Sequence, residues 1–191
     1  MRSRSTVITP EEHAGLLELW KGDDAICDLL KVLWATGARP GELYKVAASH
    51  YRDGMFNLKP DEHKTGEKTG RERVIALIDE VEIVERRCKE YPVGPIFRNS
   101  YGRQWKTSAL FVRFEAARTA TRKRKPVIRK GIMPYSYRHA WATHALEKGR
   151  LSDYEVAKGL GHATTQMVHL HYDHSRNNAE HLRDIFKRAR G

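Results

Sequence analysis

Cysteine is scarce in this chain of 191 residues: there are two, Cys27 and Cys88, far apart and each within an apolar stretch. Two such thiols exclude a disulfide scaffold and a cysteine zinc site, and they suit a reducing compartment. Long apolar runs are missing too. None approaches the roughly 20 residues that span a bilayer, and the N-terminal MRSRSTVITPEEH has no apolar signal core. The expected location is therefore the cytoplasm, with no membrane partner. Nucleotide and metal motifs are absent as well. The glycines do not form G-x-x-x-x-G-K-[ST], so there is no P-loop. Two Lys-Thr-Gly runs, at 64–66 and 68–70, lack the S-x-x-K that would make them a β-lactamase element. His169, His171 and His174 are spaced so that the three cannot share a helical face. No carboxylates cluster tightly enough to hold catalytic metal ions. No metal, cofactor or small-molecule substrate is expected.

What the chain does have is positive charge. Lysine and arginine number 35 against 24 acids, giving a formal net charge of +11 and a pI of about 9.8. That balance favours a polyanion as partner, because cations placed along phosphates release condensed counterions. With 40% hydrophobic residues and a mean hydropathy of -0.67, the rest reads as an ordinary globular chain with one core. The densest basic run, TRKRKPVIRK at 121–130, is either a solvated loop or a phosphate-contacting one.

Hydrophobic periodicity predicts a mostly helical fold. Thr9-Pro10-Glu11-Glu12 reads as a capped helix start, followed by Leu16, Leu17 and Trp20. Ile26, Leu29, Leu30, Leu33 and Trp34 mark a second helix ended by Gly37, and a short third begins at Arg39-Pro40. The period then changes. His50-Tyr51, Met55–Leu58 and Arg73–Leu77 read as strands, with Asp53-Gly54 as a hairpin turn and 61–70 as a loop. Further helices are expected after Asp79 (Val81, Val84, Cys88 on one face) and from about Thr107 (Leu110, Phe111, Phe114, Ala117 inward). Others should run from Ser136, from Asp153 to Gly159, over 162–172, and over 176–190. The expected class is α+β, mostly α, with a small antiparallel β-sheet.

Five residues in four segments stand out chemically. Arg39 lies in ATGARPGE just before a helix start. Arg138 and His139 lie in PYSYRHAWATH. His162 follows Leu160-Gly161, and Tyr172 lies in HLHYDH. Breaking a phosphodiester by transesterification requires an in-line nucleophile, cations on the non-bridging oxygens, and a proton for the leaving oxygen. Arginine meets the second need without metal, since its planar fork grips phosphate through two parallel hydrogen bonds.

The ordered series T-G-x-R-x-x-E, R-H-x-x-A-T-H, L-G-H and a tyrosine ten residues beyond resembles the catalytic domain of the tyrosine recombinases, the phage integrase family. The resemblance covers about residues 9 to 175. It implies that Arg39 and Arg138 clamp the scissile phosphate of double-stranded DNA, that His162 hydrogen-bonds it, and that Tyr172 attacks it. It implies a general-acid lysine between two strands. The family's K-x-x-x-x-R-x-V-x-L is similar to Lys68 through Leu77, which favours Lys68 over Lys64. One departure is visible: the family's H-x-x-R has Tyr135 in place of histidine, so Tyr135 is expected to support the phosphate. Another is the missing N-terminal DNA-clamping domain, which makes 1–8 read as the end of an interdomain linker or a basic arm. Residues 176–191 are expected to form a helix, packing at home or on a neighbouring protomer. The expected activity is site-specific recombination through a 3′-phosphotyrosine for a mobile element, with self-assembly on DNA. A relaxing topoisomerase of the same chemistry and a catalytically weak DNA-binding relative are the alternatives.

Overall fold

The computed structural model describes residues 6–123, 125–166 and 168. Helix α1 (Pro10–Leu19) begins with a reciprocal cap. The Thr9 hydroxyl accepts from the Glu12 amide at 3.2 Å, and the Glu12 carboxylate accepts from the Thr9 amide at 3.0 Å. Pro10 fits the first helical position because an N–H there would find no partner in the helix. Helix α2 (Asp24–Thr36) is the centre of the fold: Ile26, Leu29, Leu30, Val32 and Leu33 are all fully buried. Gly37, at φ 58°, ends it in the left-handed conformation. The one-turn α3 (Pro40–Leu43) follows at once.

The sheet is small, as the change of period predicts. Strands β1 (Tyr51–Arg52), β2 (Met55–Leu58) and β3 (Arg73–Ala76) pair antiparallel in that order, with Phe56 opposite Ile75 and Leu58 opposite Arg73. Both residues of the β1–β2 turn, Asp53 and Gly54, take positive φ, which suits the twist of a tight hairpin. Phe56, Leu58, Arg73 and Ile75 share the buried face. The segment between β2 and β3 is more ordered than the loop expected there. It holds a 3-10 turn (Pro60–Glu62) and a one-turn helix, α4 (Gly66–Thr69). The buried His63 ring organises it, with Nδ1 accepting from the Gly66 amide at 3.2 Å and Nε2 lying 3.0 Å from the Arg71 carbonyl.

Four longer helices complete the fold: α5 (Val81–Glu90), α6 (Thr107–Ala120), α7 (Ser136–Glu147) and α8 (Asp153–Leu160). Buried Asp28 ties α2 to α5 by accepting from Arg86 at 2.7 Å and Arg87 at 2.8 Å. Helix α6 departs from expectation at Phe111, which is 49% exposed. Its buried stripe is Leu110, Phe114 and Ala117, and Phe111 sits one residue, about 100°, off that line. Helix α8 runs one residue past Gly159, to Leu160, with Gly161 as its left-handed cap. Helix α7 lies between two apolar clusters. Tyr137 and Ala140 join the main core, while Ala142 and Ala145 pack with Val156, Ala157, Leu160 and Val168. Both cysteines are free, Cys27 being buried. No helix among the described residues is long and apolar enough to cross a membrane. The helix expected over 162–172 starts later than expected: 163–165 are bend and turn, Gln166 and the buried Val168 are helical, and the remainder, like the helix expected over 176–190, lies outside the described residues.

Candidate active site

Two helix C-termini converge on Arg138. Its Nη1 donates to the Gly37 carbonyl at the end of α2 at 3.0 Å, and its Nη2 to the Leu160 carbonyl at the end of α8 at 2.7 Å. Each helix C-terminus carries partial negative charge, so a guanidinium between two of them is held by charge as well as by hydrogen bonds. Nη2 also lies 2.8 Å from His162 Nε2. An arginine can only donate, so Nε2 is the acceptor in this contact. Arg138 has no solvent exposure, and its Nε finds no acceptor among the described residues. Burial pushes its pKa down to about 10, and the nearby charge of Arg39 pushes the same way. It remains a cation at neutral pH.

Arg39 precedes α3, with its side chain 22% exposed, and its Nη1 donates to Glu42 Oε1 at 2.8 Å. The other Glu42 oxygen accepts from the Arg39 amide at 3.0 Å and lies 3.7 Å from Arg73 Nε. Burial raises the Glu42 carboxyl, yet the Arg73 and Arg39 guanidiniums outweigh it and hold the group below its ordinary value. Glu42 is therefore ionised at neutral pH. Three guanidiniums facing one carboxylate leave two positive charges in surplus. That matches the charge on a phosphodiester as it approaches a pentavalent transition state.

The structure thus brings together Arg39, Arg138 and His162. Tyr135 stands at the N-terminal end of α7, 46% exposed, with its ring edge-on to His139 at 5.1 Å. It is close enough to Arg138 that its phenolic charge, once formed, would raise that guanidinium's pKa. Lys68 lies on α4 and Lys64 just before it. Both are exposed, and among the described residues neither forms an ion pair. Tyr172 lies outside the described residues. Glu42 and Arg73 are additions that the sequence reading did not assign to the site. Glu42 was in view as the acid of the T-G-x-R-x-x-E run. Arg73 carried a signal of its own: a charge on the inward parity of a strand whose other inward residues are Ile75 and Leu77.

Among the described residues no group of three or more His, Cys, Asp or Glu side chains gathers as metal ligands would. The basic run 121–130 is partly structural. Arg129 makes 2.8 Å bonds from both Nε and Nη2 to the buried Glu12 carboxylate, while Arg122, Lys123, Lys125 and Lys130 are exposed.

A mostly helical domain with a small three-stranded antiparallel sheet is the fold of the solved integrase structures that this chain resembles. The chain belongs to the phage integrase family, which it matches over residues 7–179. Among solved structures it is similar to XerA recombinase, at 20% identity and a TM-score of 0.66 over 100% of this chain and 66% of that one. It is similar to the Tn1549 transposon integrase in complex with circular intermediate DNA, at 18% identity and a TM-score of 0.76, covering 96% of this chain and 66% of that one. A lambda integrase dimer bound to a COC′ core site matches at 17% identity and a TM-score of 0.70, over 93% of this chain and 62% of that one. The chain therefore spans just under two thirds of the length of these relatives. No curated protein matches it significantly.

Proposed function

We propose that this chain, over residues 9–175, is the catalytic domain of a site-specific DNA recombinase, the integrase of a mobile element, acting in the cytoplasm. The observation that carries the reading is the convergence of Arg39, Arg138 and His162 around a surplus of buried positive charge. In the proposed reaction the Tyr172 oxygen attacks a DNA phosphorus and gives up its proton to solvent. The bond to the 5′ oxygen breaks, and the Lys68 ammonium protonates that oxygen as it leaves. Arg39 and Arg138 hold the non-bridging oxygens as their charge grows. His162 and Tyr135 support the same phosphate. The 3′-phosphotyrosine conserves bond energy, so a 5′ hydroxyl of a partner strand can reverse the step on another duplex. Strand exchange requires protomers assembled on DNA.

A DNA-binding relative with little strand cleavage is the second reading, favoured by Tyr135 where the resemblance expects a histidine. A duplex nicked close to the cleavage point separates the two, because loss of the short fragment traps the covalent adduct. Wild type should form the adduct and Tyr172→Phe should not. An adduct from the phenylalanine variant removes Tyr172 as nucleophile; DNA binding with no adduct from wild type favours the second reading.

A further inference from the structure

Arg73 is the feature that the reaction above leaves unused. Its guanidinium is 3% exposed in side-chain terms, in the middle of the fold, on the inward face of β3. Nη1 donates to its neighbour's carbonyl, Val74, at 2.9 Å, and across the molecule to the Gly159 carbonyl at 2.8 Å. Gly159 and Leu160 are consecutive in the last turn of α8, so Arg73 and Arg138 hold adjacent carbonyls of one helix end. The fit is close: a Cβ on Gly161 would lie 2.7 Å from Arg73 Cδ. On its other side Arg73 faces Glu42 at 3.7 Å, too long for a hydrogen bond, and its Nε and Nη2 make none among the described residues. Buried guanidinium N–H groups without acceptors are costly, so this arrangement calls for a reason.

We infer that Arg73 is a positioning residue that receives the Glu42 carboxylate when Arg39 turns to the phosphate. In the structure Glu42 holds Arg39 by the tight 2.8 Å bond and Arg73 by the loose 3.7 Å contact. While Nη1 is bonded to Glu42 the Arg39 fork is aligned on that carboxylate, and it must swing to present two parallel N–H groups to a phosphate. Released, the carboxylate has a two-pronged partner at hand in the open Nε and Nη2 of Arg73. The same side chain keeps the α8 end, and with it His162, in register with Arg39. This inference rests on the strand-transfer reading of the site.

The test is the first-order rate of adduct formation per folded molecule, at saturating nicked DNA and well below the melting temperature. Arg73→Met, close in length and uncharged, should slow that step by on the order of tenfold, the scale of coupling in buried networks. Its DNA affinity should change far less. Adding Glu42→Gln should recover part of the lost rate, because a neutral amide holds Arg39 less tightly than a carboxylate. Arg73→Lys should fall between wild type and Arg73→Met, and it carries the test if the methionine variant does not fold. Thr9→Ala, which weakens the α1 cap by losing a bond to the Glu12 amide and to no site residue, should lower the melting temperature and leave the rate per folded molecule unchanged. Wild-type rates in both Arg73→Met and Arg73→Lys overturn the inference. So does a double variant slowed by the product of its two single effects. Failure of wild type itself to form adduct is a different result, which removes the strand-transfer reading and this inference with it.

Discussion

Complete burial of a guanidinium costs several kcal/mol unless acceptors and opposite charge compensate. Arg138 meets that cost with two helix-end carbonyls and the His162 ring, and it shows the rule at work at the scale of one side chain. His13, in contact with Arg138's chain neighbour Tyr137, obeys the same rule in the opposite sense. Its ring stacks on Trp34 at 4.6 Å, its Nδ1 lies 3.1 Å from the Tyr137 hydroxyl, and burial, with Lys31 adding to it, pushes its pKa from 6.5 to about 4. The unfolded chain binds this proton first as pH falls. The stability from this site is therefore whole above pH 6.5 and drains as pH drops towards 4. The full shift corresponds to roughly 3 kcal/mol, and partial exposure of the ring reduces it to on the order of 1–2 kcal/mol. His13→Gln keeps a hydrogen-bonding partner for Tyr137 and removes the titration. Its melting temperature should vary less between pH 6.5 and 5 than that of wild type. Equal slopes would assign the acid sensitivity of this range to another group.

At the scale of elements, the site is made of helix ends, and two glycines make those ends possible. Gly37 illustrates it. Its positive φ lets α2 stop and aim its carbonyl at Arg138, and a Cβ there would lie 2.7 Å from Trp141 Cγ. Trp141 in turn donates to the Ala35 carbonyl at 3.0 Å, so α7 closes the end of α2 twice. Gly37→Ala meets both a left-handed backbone and the indole, and should cost about 2 kcal/mol, lowering the melting temperature by roughly 4–8 °C in a chain of this size. Gly22 also has positive φ but open space around it; Gly22→Ala should cost only about 1 kcal/mol. Equal losses by calorimetry would mean that the Trp141 contact adds nothing. The same contrast explains what the sequence made legible. The α1 cap, the Gly37 stop and the Asp53-Gly54 turn are local devices, readable within four residues. The partners of Arg73 and Arg138 are not, because Gly159 lies 86 residues from Arg73 and Gly37 lies 101 from Arg138. Nor is α4, whose order depends on the burial of His63. The hydrophobic alternation showed that Arg73 points inward; only the packing of β3 against the α8 end shows what it meets there. Arg39, Arg138 and His162 were legible because their spacing follows a family pattern, whereas Glu42 acquires its role only when Arg73 arrives from a different element.

For the whole molecule, the count of 35 lysines and arginines overstates what is free to meet DNA. Arg86 and Arg87 are bound to Asp28, Arg113 to Asp23 and Arg129 to Glu12, so several cations are occupied in holding helices together. The run 121–130 contains both kinds. Its Ile128 is core and its Arg129 is a strut, while Arg122, Lys123 and Lys125 stand in solvent. Affinity for DNA should fall linearly on a logarithmic salt scale, with each phosphate contact adding about 0.9 to the slope. If the exposed members of this run lie along the DNA backbone, replacing Arg122, Lys123 and Lys125 together by alanine should reduce that slope by up to roughly 3 and leave the melting temperature near that of wild type. Arg129→Ala should do the reverse, lowering the melting temperature because it leaves the buried Glu12 carboxylate without its cation, while changing the slope little. Titrations of a fluorescent duplex from about 50 to 200 mM salt measure both slopes. An unchanged slope in the triple variant would make the run a solvated loop, and would shift the electrostatic contact to other faces of the domain.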